Sequence, residues 1–135
     1  TRLGAAKARQ MPRVPVPVYR FMFADEFCFG FPPKPAFLDA HLALLAECDP
    51  GAPFMVAGLG VDIRPLIGPA VDRGGHVRVG LEDRPWGVRE TNRGLVEEAV
   101  RLVRAAGAEV ANPAEVRAAC AAADKALKRG KGQGG

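Results

Sequence analysis

Apolar residues in this chain fall into two patterns, short dense runs and longer segments in which they recur every three or four positions. The dense runs cover residues 18–24, 53–57 and 74–83. The longer segments cover residues 36–47, 63–72, 92–106 and a last stretch after residue 112. The runs have the length of β-strands and the spaced segments have helical periodicity, so the pattern predicts strands and helices in alternation, ending in two helices. This order is typical of parallel α/β folds.

The third run, GGHVRVGLED at residues 74–83, ends in two acids, Glu82 and Asp83. Side chains alternate along a strand, so Val77, Val79 and Leu81 would share one face while Arg78, Gly80 and Glu82 share the other. In a parallel barrel the apolar face would lie under the helices, and the acids would stand at the carboxyl end, where barrel enzymes hold their chemistry. An edge strand with a solvated Arg/Glu face explains the same alternation. The pattern alone leaves both interpretations open.

The turn and cap signals divide the chain into three parts. Pro12, Pro15 and Pro17 disfavour a helix, so we predict an extended or irregular lead-in at residues 1–17. Residues 18–124 would form the folded part, a partial (β/α) barrel, with helix starts at Thr91 or Asn92 and at Asn112. Residues 125–135 form a basic Gly/Lys tail that we expect to be disordered. A complete (β/α)₈ barrel takes eight strands and about 250 residues, so three strands would form an incomplete one.

The composition narrows the class of protein. A chain of 135 residues with 48% hydrophobic residues can bury a core, and no apolar run approaches the ~20 residues of a membrane helix. We therefore expect a cytoplasmic protein that does not bind membranes. The net charge of +4 comes largely from the two ends, where no aromatic residues accompany the basic ones, so nucleic-acid binding is not expected. The three cysteines form no Cys-x-x-Cys pair, which argues against a disulfide framework or a thiolate zinc site.

Several single features allow both a functional and a structural interpretation. Asp25 and Glu26 follow the first strand, where a catalytic pair could sit, but loop acids are common. His41 lies in a helix, where a packing or surface role is more frequent than metal binding. The Gly-x-Gly at residues 58–60 could approach a phosphate or simply form a tight turn. Trp86 could cover a ligand pocket or close a loop over the core.

A wider set of motifs resembles the carboxyl-terminal part of the β-keto acid cleavage enzymes, a family that includes the 3-keto-5-aminohexanoate cleavage enzyme. The motifs are GGHVRVGLED at 74–83, VAGLG at 56–60, Asn92, LVE at 95–97 and ANPAE at 111–115. The similarity spans residues 18–119. It implies the last three βα units of a TIM (β/α)₈ barrel plus a carboxyl-terminal helix, with the barrel incomplete in this chain.

The resemblance also implies an activity, a zinc-dependent acyl transfer in which a β-keto acid and acetyl-CoA give acetoacetate and a new acyl-CoA. In the family pattern the residue matching Glu82 is a zinc ligand, the one matching Asp83 is an acid/base group and the one matching Arg78 assists the charged intermediate. The family takes further zinc ligands from a His-x-His pair, which this chain lacks, since its histidines are His41 and His76. Arg84 stands where the family usually has asparagine.

The missing histidines lead to two hypotheses about the chain. In the first, the chain is the carboxyl-terminal portion of a β-keto acid cleavage enzyme, a homo-oligomer or one with a partner chain completing the barrel, and is active only if the earlier strands come from another chain or from further sequence. In the second, it is a truncated, catalytically inactive remnant that acts as an oligomer or interaction module. Zinc content and acetyl-CoA-dependent acetoacetate production distinguish the two.

Overall fold

The computed structural model describes residues 1–10, 17–27 and 29–131 of the chain, and five helices and three strands lie within them. The strands are β1 (Tyr19–Phe23), β2 (Phe54–Gly58) and β3 (His76–Val77). The helices are α1 (Arg2–Gln10), α2 (Pro35–Cys48), α3 (Arg64–Asp72), α4 (Asn92–Ala105) and α5 (Pro113–Lys131). The predicted alternation of strands and helices from β1 onward is confirmed.

The strands form one parallel sheet in the order β1-β2-β3. Tyr19 pairs with Phe54, and Val56 pairs with Val77. The backbone N–H of Arg78 donates to the carbonyl oxygen of Val56 at 2.9 Å, which carries the hydrogen bonding one residue past β3. Because parallel strands run in the same direction, the loops after β2 and β3 emerge at the same edge of the sheet.

The core lies where the sheet meets helices α2 and α3. The largest fully buried side chains are Phe23, Leu38, Leu66, Ile67 and Val56. Alternate residues of β1 are buried, whereas nearly all of β2 is, because β2 is the central strand. Each fully buried side chain of this size stabilises the fold by about 1.5–3 kcal/mol, so this cluster holds the sheet against the helices.

The predicted strand at residues 74–83 is wrong in its extent. β3 ends at Val77, and the chain then turns so that the N–H of Asp83 donates to the carbonyl oxygen of Gly80 at 3.0 Å. Val77 and Val79 pack against the core as expected, but Leu81 is 52% exposed. Among the described residues β3 pairs with β2 alone, so no second neighbour keeps the segment extended.

The expectations for the two ends also differ from the structure. Arg2–Gln10 forms α1 rather than an extended lead-in, because its Ala, Lys, Arg and Gln residues favour helix and the prolines come later. Ala5 is buried, and Arg2 pairs with Glu47 of α2 at 2.9 Å. α5 continues to Lys131, so residues 125–131 are helical rather than disordered. Residues 11–16 and 132–135 lie outside the described residues, and the domain boundaries remain predictions.

The predicted helix starts are confirmed by their capping bonds. The hydroxyl of Thr91 accepts from the N–H of Gly94 at 3.0 Å at the start of α4. The side-chain oxygen of Asn112 accepts from the N–H groups of Ala114 and Glu115, and the Glu115 carboxylate accepts from the N–H of Asn112 at 2.7 Å. This reciprocal pattern is a capping box. Within the described part of the chain, no helix combines the length and the apolar character needed to cross a bilayer.

Candidate functional site

A pocket of about 90 Å³ opens at the edge of the sheet where β2 and β3 end. Its walls come from the loops after these two strands, from the start of α3 and from the first turn of α4. The apolar walls are Val61, Ile63, Val79, Pro85, Val88 and Leu95. The charged residues that line it are Asp62, Arg64, Asp83, Arg84 and Glu90. An apolar pocket with a few charged groups at this edge of a parallel sheet is a common form of ligand site.

Asp83 is the buried carboxylate of the pocket. It is only 3% exposed, and neither carboxylate oxygen has a hydrogen-bond partner among the described residues. The nearest cation is Arg78, whose Nη1 lies 3.2 Å from Oδ1 of Asp83. Burial raises the pKa of Asp83, and the charge of Glu82 raises it further, while Arg78 and Arg20 oppose the shift. Asp83 can therefore hold a proton more readily than an ordinary aspartate.

The guanidinium of Arg78 joins the two acids. Its Nη2 donates to the carboxylate of Glu82, and its Nη1 contacts Asp83. The turn at residues 80–83 brings this about, because it places Glu82 and Asp83 on either side of the same arginine. The side chain of Glu82 is 69% exposed, so the two neighbouring acids lie in different surroundings. The structure thus brings together the three site residues predicted from the sequence.

Close backbone packing holds the Asp83 turn against the end of β2. A Cβ on Gly58 would lie 2.9 Å from the carbonyl oxygen of Asp83 and 2.8 Å from Cγ2 of Ile63. A Cβ on Gly80 would lie 3.2 Å from Oδ2 of Asp83. Gly60 adopts a φ of +68°, which favours glycine, so the Gly-x-Gly at residues 58–60 forms a tight turn. We did not predict that this Gly-x-Gly turn packs against Asp83.

A second ion-pair group also lines the pocket. Arg64 donates from Nε and Nη2 to Asp62 at 2.7–2.9 Å, and its Nη1 lies 3.7 Å from Glu90. Its hydrogen bonds hold the pKa of Asp62 below its usual range. We did not predict this group either, since Glu90 lies far from Arg64 in the sequence and only the fold brings them together.

The described residues do not form a zinc site by themselves. They contain no group of three His, Cys, Asp or Glu side chains that could hold a metal ion. The Glu82 carboxylate is ion-paired with Arg78 instead, and His76 is exposed at the start of β3. His41 packs among aromatic rings, stacked on Phe21 at a centroid distance of 4.6 Å. Burial lowers the pKa of His41, so a packing role explains it.

Two other candidates lie outside the pocket. Asp25 and Glu26 are exposed in the loop after β1 and do not line it. Trp86 is 67% exposed, and its indole Nε1 would lie 3.0 Å from a Cβ on Gly60. The indole therefore covers the tight turn beside the pocket rather than the core.

Comparison with known proteins supports the resemblance. A sequence model of the β-keto acid cleavage enzyme family matches residues 4–121 of this chain. The match begins well before residue 18, so the similarity includes α1, which we had placed outside it. Family similarity thus covers most of the chain.

Three curated relatives were compared with the chain. It is 35% identical over 96 residues to the 3-dehydrocarnitine:acetyl-CoA trimethylamine transferase of Rhizobium meliloti (strain 1021), covering 68% of this chain and 32% of that protein. It is 40% identical over 81 residues to the 3-keto-5-aminohexanoate cleavage enzyme of Fusobacterium nucleatum, covering 56% of this chain and 30% of that protein. The enzyme of the same name from Acetoanaerobium sticklandii is 43% identical over 68 residues, covering 47% of this chain and 25% of that protein. The chain therefore spans about a third or less of the curated relatives that it matches.

Proposed function

This chain belongs to the β-keto acid cleavage enzyme family, and from that premise we propose that it contributes part of an active site for acyl transfer between a β-keto acid and acetyl-CoA. The products would be acetoacetate and a new acyl-CoA. The observation that carries the proposal is the arrangement of Arg78, Glu82 and Asp83 beside a pocket at the carboxyl edge of the sheet. The names of the relatives support the reaction class, since one is called a 3-dehydrocarnitine:acetyl-CoA trimethylamine transferase and two are called 3-keto-5-aminohexanoate cleavage enzymes.

Asp83 would move the proton in this reaction. It lines the pocket, it has no hydrogen-bond partner among the described residues, and burial raises its pKa. An aspartate whose pKa is raised is better suited to proton transfer near neutral pH than an ordinary aspartate. Arg78 would hold Asp83 in place and offset negative charge that develops beside it, as fixed cations do in active sites.

Zinc is proposed only for a complete site. The described residues do not hold a metal by themselves, so we derive no catalytic step through one. Glu82 would serve as one ligand, and histidines from another chain or segment would supply the rest. In this arrangement the Glu82 carboxylate would bind the metal instead of pairing with Arg78.

The same reasoning leads us to propose an assembly. Parallel strands need neighbours on both sides to close a barrel, and this sheet has three strands in the described residues. We propose that these are the last three βα units of a (β/α)₈ barrel. A partner chain or a further segment of sequence would provide the remaining strands and the rest of the substrate pocket.

The test is to isolate the assembly that contains this chain from its source cells and measure acetoacetate formation from acetyl-CoA and a panel of β-keto acids. We expect turnover and bound zinc, and we expect Asp83→Asn to reduce the rate by a factor of about 100 or more, as loss of an acid/base group does. Asp72→Asn is the matched control, because Asp72 is exposed and does not line the pocket. An assembly that forms without activity or zinc would instead support the inactive interaction module.

A further inference from the structure

We propose that residues 84–90 form a lid on the pocket and that Glu90 closes this lid by pairing with Arg64. Because the lid controls access to the site described above, the inference rests on the proposed function in that respect. The contacts of the segment support it, since both ends of the lid are fixed while its middle is held weakly.

The two ends of the lid are fixed by packing and by a helix cap. Before the lid, the backbone of Asp83 packs against Gly58, where an added Cβ would lie 2.9 Å from the Asp83 carbonyl oxygen. After the lid, the hydroxyl of Thr91 caps α4 by accepting from the N–H of Gly94 at 3.0 Å. Between these points the segment belongs to no helix or strand, and in the described part of the chain no backbone hydrogen bond joins it to another segment. Segments with few such bonds open at a low free energy.

The indole of Trp86 is one contact that holds the lid. Its Nε1 would lie 3.0 Å from a Cβ on Gly60, so the ring lies on the turn after β2. Trp86 is nevertheless 67% exposed, so this contact buries only a small part of the ring. Gly87, the next residue, has a φ of +79°, a conformation that glycine adopts without strain. The lid can therefore lift without breaking a large buried interface.

The ion pair between Arg64 and Glu90 is another contact of the lid. Arg64 is held in position from outside the lid, because its Nε and Nη2 donate to Asp62 at 2.7–2.9 Å. Its Nη1 remains, and this atom lies 3.7 Å from Oε1 of Glu90. The side chains of Arg64 and Glu90 are 50% and 40% exposed, and exposed ion pairs change an equilibrium by a factor of only about 1.5 to 5. The pair thus favours the closed lid without locking it.

The closed lid leaves a buried donor unpaired. Nη1 of Arg84 is buried, and among the described residues it has no hydrogen-bond acceptor. Native proteins seldom keep such a donor without a reason, because it has lost its hydrogen bonds to water. Burial of Nη1 destabilises the closed lid relative to an open one, in which water reaches this atom.

The size of the closed pocket requires that one of its walls move. The volume is about 90 Å³, equal to that of about three water molecules in the liquid. Sites for small molecules usually have about 300 Å³ or more. Val61 and Ile63, which also line the pocket, are buried in the core, so the lid is the wall that can move. A molecule the size of a β-keto acid enters when the lid opens, as substrates do in other enzymes with mobile loops.

The experiment follows the lid through Trp86, the only tryptophan of the chain. The full chain is labelled with fluorotryptophan, which gives a single fluorine NMR signal, and the chain unfolded in urea gives the position of an indole without contacts. We expect the signal of the folded chain to lie away from that position in about 0.05 M NaCl. It should move toward it in about 1 M NaCl, because salt screens an exposed ion pair.

Two substitutions test the pair itself. Glu90→Gln should lower the closing equilibrium by a factor of about 1.5 to 5 at low salt and remove most of the salt dependence. In an Arg64→Gln background, Glu90→Gln should have no further effect, because the pair is already absent. Glu97→Gln is the matched control, since Glu97 also pairs with an arginine, Arg93 at 2.7 Å, but does not line the pocket. Circular dichroism checks that each variant is folded.

The possible outcomes separate the inference from the proposed function. A wild-type signal that salt does not move, a signal that Glu90→Gln leaves unchanged, or one that Glu97→Gln moves equally far would each overturn the inference. Additive effects of Arg64→Gln and Glu90→Gln would overturn it as well. A lid that opens with salt in a chain whose assembly shows no acyl transfer would support the inference while the proposed function fails. Acyl transfer by an assembly of chains whose signal does not respond to salt would do the reverse.

Discussion

At the scale of single residues, burial distinguishes two adjacent acids that share one arginine. Glu82 extends into solvent, whereas Asp83 is enclosed by the end of β2, the turn after β3 and the start of α4. A buried carboxylate loses hydration when it ionises, so its neutral form is favoured. The burial on which the proposed proton transfer by Asp83 depends therefore makes its charged form destabilising to the fold.

The pKa of Asp83 predicts how stability depends on pH. Because the folded-state pKa is raised above 3.8, the contribution of Asp83 to stability is fully present below pH 3.8 and is lost as pH rises through the folded-state value. The asparagine of the Asp83→Asn variant cannot ionise, so the variant does not lose stability in this way. Its free energy of unfolding minus that of the wild type should therefore increase as pH rises from 3.8 toward 7. Urea unfolding at a series of pH values measures this difference.

Arg78→Gln provides the complementary measurement. Arg78 holds the pKa of Asp83 down, so its removal should make the loss of stability with rising pH larger, and the double variant with Asp83→Asn should not show that increase. A stability difference between Asp83→Asn and wild type that is constant or falls with pH would show that burial does not govern this carboxyl group.

At the scale of elements, β2 positions the site. It is the central strand, and its last residue, Gly58, lies against the backbone of the Asp83 turn. β3 contributes two paired residues, and the chain then enters the Asp83 turn. The site is therefore held by loop packing against β2 rather than by an extended third strand.

Gly58→Ala should destabilise the protein by about 1–3 kcal/mol, as overpacking of a closed site does. The added methyl would meet two backbone carbonyl oxygens at 2.9 and 3.0 Å as well as Ile63, and backbone cannot move aside as a flexible side chain can. Gly94→Ala is the control, because a Cβ there would meet only the Thr91 hydroxyl at 3.4 Å. In helix α4 that change should stabilise by about 0.5–1 kcal/mol. Equal effects of the two changes on urea unfolding would contradict this account of the turn.

At the scale of the whole molecule, the sheet is open. Within the described residues β1 and β3 are its outer strands. β3 pairs with β2 alone, and β1 has one further contact, an isolated parallel bridge between Phe23 and Phe31. Outer strands leave backbone N–H and C=O groups available for another chain. Exposed apolar residues near the ends of these strands, Val18 and Leu81 among them, extend the same surface.

We expect the purified chain to self-associate, with sedimentation showing a mass at least twice that of one chain and rising with concentration. Leu81→Lys, next to β3, should weaken this association because it places a charge beside the open edge. Leu3→Lys is the control, since Leu3 is also exposed but lies on α1. A monomer at every concentration, or equal effects of the two changes, would contradict association through the sheet.

The sequence by itself determined the local structure of this protein and much of the candidate site. The apolar runs, the caps at Thr91 and Asn112, and the grouping of Arg78 with Glu82 and Asp83 all depend on neighbours a few positions away, where spacing and side-chain chemistry decide the outcome. The family resemblance rested on the same local motifs. It also supplied the role proposed for each acid, which the pattern of residues does not contain.

Tertiary structure alone decided where the third strand ends, which of the two acids is buried and which charges surround the pocket. Asp83 is buried because Gly58 leaves room for its turn, and Arg64 faces Glu90 because the loops after β2 and β3 emerge at one edge of the sheet. These contacts join segments far apart in the chain. Their energies depend on packing and desolvation, which a pattern of hydrophobic and polar positions does not encode.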